Sequence, residues 1–466
     1  MAIATACGPC GSSFSRWGFN RVLQCKMILN RDSQAWYGLG NALFEAGRYE
    51  EAIARYDKAL EIQPTSAEIW GRRGASLGQL RRDDEAIANF DRAIALQPDL
   101  ATAWYGRGLV LERQGQDDEA LKSFETALEH HPEYYEAWTF RSYMLQKLGR
   151  YEEVVAGYET ALKLQPGDYK TWYNLGKALV HLDRREEAIA SLDTALALHP
   201  RHYRAWYNRG ATLVELGRPE EAIASFDRAI ALKPDCDYAW KHRGLAWEQL
   251  GNYAEAVTSF ERALAVAPKD CDAWKHYSYA LQRVGRYEEA IASLDQVVSL
   301  QPDDPRNWYQ RGVSLGKLNR YEEAVDSYDR AIALNPHDPK SWYNRGVALE
   351  HMGCPEAALM NINRSLELHP RNHYAWLVRG LLLWQLRQPE EAMASLDESL
   401  RLQPNNPSAW YSKAAWCIAQ KQLGQTFLYL QKAIMLNPGI YRAMAKMDTE
   451  FEPVRNDPRF VALVNH

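Results

Sequence analysis

The sequence predicts an all-α fold, a stack of twelve helix-turn-helix units, on three observations. Trp recurs at an interval of 34 residues (70 minus 36), from Trp36, Trp70 and Trp104 without slippage to Trp410. Pro keeps the same interval from Pro64 to Pro438. Between these markers apolar residues return every three or four positions, the period of a helix and not of a strand. A beat that never slips over 374 residues (410 minus 36) leaves no stretch for a catalytic domain.

The elements follow in chain order. Residues 1–15 are expected to be a disordered leader. In residues 16–32, Phe19, Val22, Cys25 and Ile28 fall where a second helix places its inward residues, which predicts a capping half-hairpin. Twelve repeats then span 33–440. In the fifth, 169–202, Trp172, Leu175, Gly176 and Leu179 mark the buried stripe of a first helix. Asp183 stands where most repeats have Gly (Gly47, Gly149, Gly217, Gly285), so a left-handed residue should end that helix. Ala188, Ile189, Leu192, Ala195 and Leu198 are expected to face inward from the second helix, and Pro200 stops it. Helices joined by so short a turn pack antiparallel.

Small residues carry the packing argument. Gly at the eighth place of the repeat (Gly40, Gly74, Gly108, Gly210) is expected to face Ala at the twentieth (Ala52, Ala86, Ala120, Ala222). Mid-helix Gly costs about 1 kcal/mol against Ala, so close approach must outweigh it. One hairpin cannot bury its apolar face, and neighbours therefore share a core. Repeat twelve is atypical, with Lys421 for the turn Gly and Thr426 for the small Ala. Residues 441–466, with Met444, Met447, Phe451, Val454 and Phe460, are expected to form capping helices over it.

These residues carry a resemblance. W-x2-L-G-x2-Y, then A-x3-F, then P at a 34-residue period is the tetratricopeptide signature. Trp36, Leu39, Gly40, Gly47, Tyr49, Ala52, Tyr56, Ala59 and Pro64 show it in repeat one. The chain resembles the long bacterial arrays of that family, cyanobacterial ones among them, over about 408 residues (12 times 34). The resemblance implies a right-handed superhelical α-solenoid and a protein-interaction scaffold, with first helices lining a concave groove. One departure stands out at the seventh place, where Arg73, Arg107, Arg141, Arg209, Arg243, Arg311, Arg345 and Arg379 replace Leu. Acids eighteen residues later (Asp91 after Arg73, Asp227 after Arg209) suggest an Arg–carboxylate ladder along the stack.

Composition excludes several functions. A net charge of -5 gives no basic footprint for nucleic acid. Seven Cys without paired spacing point to a reducing compartment, the cytoplasm by default. No apolar run reaches the roughly 18 residues of a membrane span, so no insertion is expected. Cys7-Gly-Pro-Cys10 spells a dithiol motif, the basis of an alternative role as a redox or transferase accessory. No strand precedes it to set its thiolate at a helix N-terminus. Cys25 would add only a third zinc ligand. No phosphate loop, zinc-protease spacing or nucleophile elbow occurs. No cofactor, metal or enzyme activity is expected, and a monomer is favoured over a self-assembling array.

By the same resemblance the groove is lined by the second, fifth, sixth, ninth and twelfth to thirteenth places. Tyr fills the fifth in seven repeats, including Tyr173, Tyr207, Tyr309 and Tyr343, and offers contact area with a polar handle. Basic residues gather from repeat five onward: Lys170, Lys177, Arg204, Lys241, Lys275, Arg306 and Lys340. Asn174, Asn208, Gln310 and Asn344 interleave with them, and Tyr238, His242 and His276 share the wall. The expected partner is a protein or peptide segment, acidic or C-terminal, whose backbone bonds the amides and whose carboxylates meet the cations. The residue set that clamps chaperone tails in this family is not satisfied by any three consecutive repeats.

Overall fold

The computed structural model describes residues 32–465. The expected leader and nearly all of the N-terminal cap, with Cys7, Cys10 and Cys25, lie outside them. Residues 33–436 are helical hairpins, from Ser33–Glu45 paired with Tyr49–Ile62 to Pro407–Ala419 paired with Leu423–Leu436. The chain divides into two compact blocks, Met1–Leu232 and Lys233–His466.

Each hairpin turns at the fifteenth place. All twelve residues there are left-handed: Gly47, Gly115, Gly149, Gly217, Gly251, Gly285 and Gly353, and also Arg81, Asp183, Asn319, Arg387 and Lys421. Five side chains thus accept a conformation that costs an L-residue about 1–2 kcal/mol. The turn geometry is imposed by packing and not chosen by the local residue.

The lockstep of Trp and Pro has a direct cause. The indole N–H of Trp70 donates to the carbonyl of Pro64 at 2.9 Å, and the same bond recurs from Trp104 to Pro98 through to Trp410 to Pro404. Pro stops the second helix, which frees its carbonyl, and the next Trp consumes it. Each indole therefore latches a first helix to the turn that delivers it.

At the eighth place the Gly is held open by a ring more than by Ala. A Cβ on Gly108 would sit 2.7 Å from the Phe124 ring, and one on Gly210 would sit 2.6 Å from Phe226. The twentieth-place residue contributes its carbonyl, as Ala188 does at 3.1 Å from a Cβ on Gly176. In the second helix of repeat five, Leu198 is exposed and Leu196 takes the core position instead. Leu198 sits at the helix's last turn, beyond the stripe that reaches the neighbouring hairpin.

The seventh-place Arg pairing needs correction. Arg73 Nε donates to Asp57 at 2.7 Å, sixteen residues earlier, while Asp91 accepts from Arg107. The same backward reach joins Arg209 to Asp193, Arg311 to Asp295 and Arg345 to Asp329. Forward, the guanidinium meets a neutral residue: Asn89 for Arg73, Ser225 for Arg209, Ser259 for Arg243, Ser327 for Arg311. Arg379 finds Asn363 and Ser395, and Arg141, an exception, finds Glu125 behind it and Glu153 ahead. The carboxylate ends are half exposed, so each bridge contributes about 0.2–1 kcal/mol and mainly fixes the spacing of successive hairpins.

Beyond repeat twelve come Pro438–Met447, a 3-10 turn at Thr449–Val454 and Pro458–Asn465. Tyr441, Phe451, Val454 and Phe460 pack with Tyr411, Phe427 and Leu430. Met444 and Met447, expected to join this core, face outward because Tyr441 and Ala445 hold the inward stripe of their helix.

Candidate functional site

Two clefts open along the first helices, one in each block, and each is described by itself. The larger, about 980 Å³, lies between repeats four and five. Tyr135, Thr139, Phe140 and Tyr143 enter it from Tyr135–Lys147, and Asp168, Lys170, Thr171 and Asn174 from the start of Tyr169–His181. Small residues are exchanged where the two helices of repeat four cross. Repeat four has Ser142 where nine repeats have Gly, and Gly157 where the facing helix otherwise carries a larger side chain. A Cβ on Gly157 would fall 2.2 Å from Ser142 Oγ. That hydroxyl is buried without a hydrogen-bond partner.

Asp168 caps the second of these helices, accepting from the backbone N–H of Lys170 and Thr171 and from the hydroxyls of Thr171 and Tyr135. Burial alone would push its carboxyl up, but these donors hold it below the usual carboxylate range. Burial and the Asp168 bond push the Tyr135 phenol up to about 12, so it stays a donor. Each of these four donors is neutral. Lys170 stands exposed at the rim, and Tyr143 is 42% exposed.

The second cleft, about 370 Å³, involves Glu248, Lys275, His276, Tyr279, Gln282, Asp304, Arg306 and Gln310. Here the charges neutralise one another. Lys275 Nζ lies 3.7 Å from Asp304 and Arg306 Nε 3.0 Å from it, while His276 Nδ1 lies 2.9 Å from Glu248. The Arg306 bond holds the Asp304 carboxyl low. Ser278 occupies the eighth place of this repeat, as Ser142 does in repeat four.

The structure thus brings Lys170 with Asn174, and Lys275 with His276, Arg306 and Gln310. Other expected groove residues are engaged elsewhere. Lys241 donates to Asp270 at 2.7 Å. His242 donates to the Tyr238 carbonyl, and burial lowers its pKa. Asn208 and Asn344 donate at 3.0 Å to the hydroxyls of Tyr173 and Tyr309, tying each Tyr to the next repeat. Tyr207 and Tyr309 pack on Phe226 and Tyr328, and burial raises Tyr173, Tyr309 and Tyr343. The fifth-place Tyr are anchors of the hairpin interface more than handles of the groove, because their rings lean toward their own second helix. Lys177 lies over the Tyr173 ring, Arg204 beside Tyr203, and Lys340 is exposed. The sequence reading missed Tyr135, Tyr143, Asp168, Glu248 and Asp304. Asp168 and Asp304 carried a signal as helix caps, at the last place of a repeat just before a first helix.

Among the described residues no three His, Cys, Asp or Glu gather to hold a metal, and no helix is long and apolar enough to cross a membrane. Tetratricopeptide-repeat models match 118–169, 145–191, 173–237, 212–270 and 352–407, others 40–81, 79–115 and 317–353, and a further one 101–134. A model of subunit 3 of the anaphase-promoting complex, cyclosome, matches 249–331. Among solved structures, a MamA protein is 24% identical, covering 38% of this chain and 96% of its own, with a TM-score of 0.36. The Cut9–Hcn1 hetero-tetramer is 15% identical over 91% and 93%, with a TM-score of 0.38. A tetratricopeptide protein of Parabacteroides merdae is 21% identical over 53% and 98%, with a TM-score of 0.37. No curated protein matches the chain significantly.

Proposed function

Because the chain belongs to the tetratricopeptide-repeat family, we propose that it is a non-enzymatic scaffold that holds segments of partner proteins against its first helices. One observation carries the reading: the cleft between repeats four and five, aromatic on one wall and open to a cation on the other. An apolar side chain fits among Tyr135, Phe140 and Tyr143. The Asn174 amide bonds the segment's backbone, and Lys170 meets an acidic or C-terminal carboxylate. Asp168 does not compete for Lys170, since its oxygens are taken by Tyr135, Thr171 and backbone donors. The wall stands formed before binding, so the flexible segment bears most of the ordering cost. The protein acts as a cytoplasmic monomer on this reading.

A displayed random-peptide library tests it. Selection against the full chain is expected to enrich an apolar residue next to an acid or a free C-terminus. The double variant Tyr143→Ser, Lys170→Glu should weaken those peptides by about tenfold or more, ~1.4 kcal/mol by calorimetry, with unchanged helicity. Peptides that bind this variant as well as the parent would sink the reading, as would a library that enriches nothing.

A further inference from the structure

The last hairpin breaks the charge pattern of the eleven before it. Every earlier second helix carries Asp or Glu in its first turn, where the helix dipole favours an anion. Leu423–Leu436 has Gly424 and Gln425 there and no acid. No Asp or Glu occurs anywhere between Glu398 and Asp448, while Lys421, Lys432 and Lys446 stand exposed in that stretch.

The outward side chains change as well. Met435 is 73% exposed, at a place where the eleven other repeats carry Ala, Ser, Glu, Lys or Arg. Leu428, two helical turns earlier on the same face, is 49% exposed. After Asn437 the next helix continues with Ile440, Met444 and Met447, all exposed at helical spacing. Packing does not ask for these residues, since Leu430, Ile434, Tyr441 and Ala445 supply the core from the opposite faces. Forgoing the first-turn acids also gives up dipole compensation. Stability therefore explains neither change, and a surface role explains both.

We propose that Lys421–Met447 rests on an anionic lipid surface, with Leu428, Met435, Ile440, Met444 and Met447 at the headgroup boundary and the three lysines among the lipid phosphates. Paired amphipathic helices of this composition bind in the interface plane, and each nearby cation adds attraction to an anionic leaflet. The chemistry favours lipid over an acidic protein. Unbranched Met adapts to a fluid boundary. From residue 421 to 447 the exposed cations are all Lys, point charges on stems that extend along apolar surface, and not the forked Arg that suits directed carboxylate pairing.

Co-sedimentation of the full chain with vesicles tests this. Vesicles of phosphatidylcholine with one-third phosphatidylserine are expected to retain it at least tenfold more strongly than phosphatidylcholine alone at 0.15 M salt. Met435→Glu with Met447→Glu, both on exposed side chains, should lose at least tenfold in retention. Met360→Glu, at an exposed Met of repeat ten, should lose nothing. Retention by neither vesicle overturns the proposal, and so does equal retention of the double variant. A concentration-dependent dimer in light scattering that the double variant abolishes also overturns it, by assigning the face to a second copy.

Discussion

Repeats four and eight make the same structural move and reach opposite electrostatic ends. Each replaces the close-packed Gly by Ser, at Ser142 and Ser278, and each exposes a Tyr one residue later, Tyr143 and Tyr279. A cleft opens beside each. In the first, the nearby carboxylate of Asp168 is saturated by hydroxyl and backbone donors, which leaves Lys170 available. In the second, Asp304 and Glu248 sit against Lys275, Arg306 and His276. The charge of each cleft thus follows from what the helix-capping carboxylate bonds to.

That comparison can be broken, most strongly at the crossing itself. Gly108→Ser puts a Cβ 2.7 Å from the Phe124 ring in a repeat that has not opened. It should destabilise by about 1–3 kcal/mol, read as a lower denaturation midpoint with unchanged m-value. A neutral outcome would mean that this crossing tolerates a side chain without rearranging. Next in size, Asp168→Ala removes a cap and should cost about 1–2 kcal/mol. Because the folded carboxyl is held low, its contribution is full above the unfolded pKa near 4 and fades as pH falls through the lower folded value. The gap in stability between parent and variant should therefore close on acidification.

Asp304→Asn sharpens the contrast from the other side. It releases Lys275 and Arg306 and should raise affinity for acidic peptides at the second cleft by about threefold to tenfold, ~0.7–1.4 kcal/mol, with little loss of stability because the pairs are partly exposed. The smallest effect is expected away from both clefts. Arg387→Gly relieves a left-handed side chain and should stabilise by up to about 1 kcal/mol, measured as a rise in denaturation midpoint.

The fold was legible because packing repeats with the chain. Trp, Pro, the crossing Gly and the left-handed turn return every 34 residues, and each has one mechanical duty. The Arg partners were legible only as a residue class. Asp91 is eighteen residues after Arg73 and sixteen before Arg107, and a period of 34 makes these offsets indistinguishable. Periodicity names the acid but not the hairpin it serves. The clefts were least legible, since no 34-residue regularity marks them. Ser142 with Gly157 looks like noise against twelve copies until their atoms are seen to meet. The groove cations were visible as residues, but their carboxylate neighbours, Asp270 and Asp304, sit in the turns between repeats.

The indole latch between each Trp and the preceding Pro has a mechanical consequence. From Trp70 to Trp410, each joint is fastened by the same bond at nearly the same length, 2.8–2.9 Å. A molecule stretched from its two ends should lengthen in quanta of one hairpin, roughly 120 Å of extended chain per step at about 3.5 Å per residue. Trp→Phe at a single joint would make that joint yield first, and the order of rupture could be written into the chain one aromatic ring at a time.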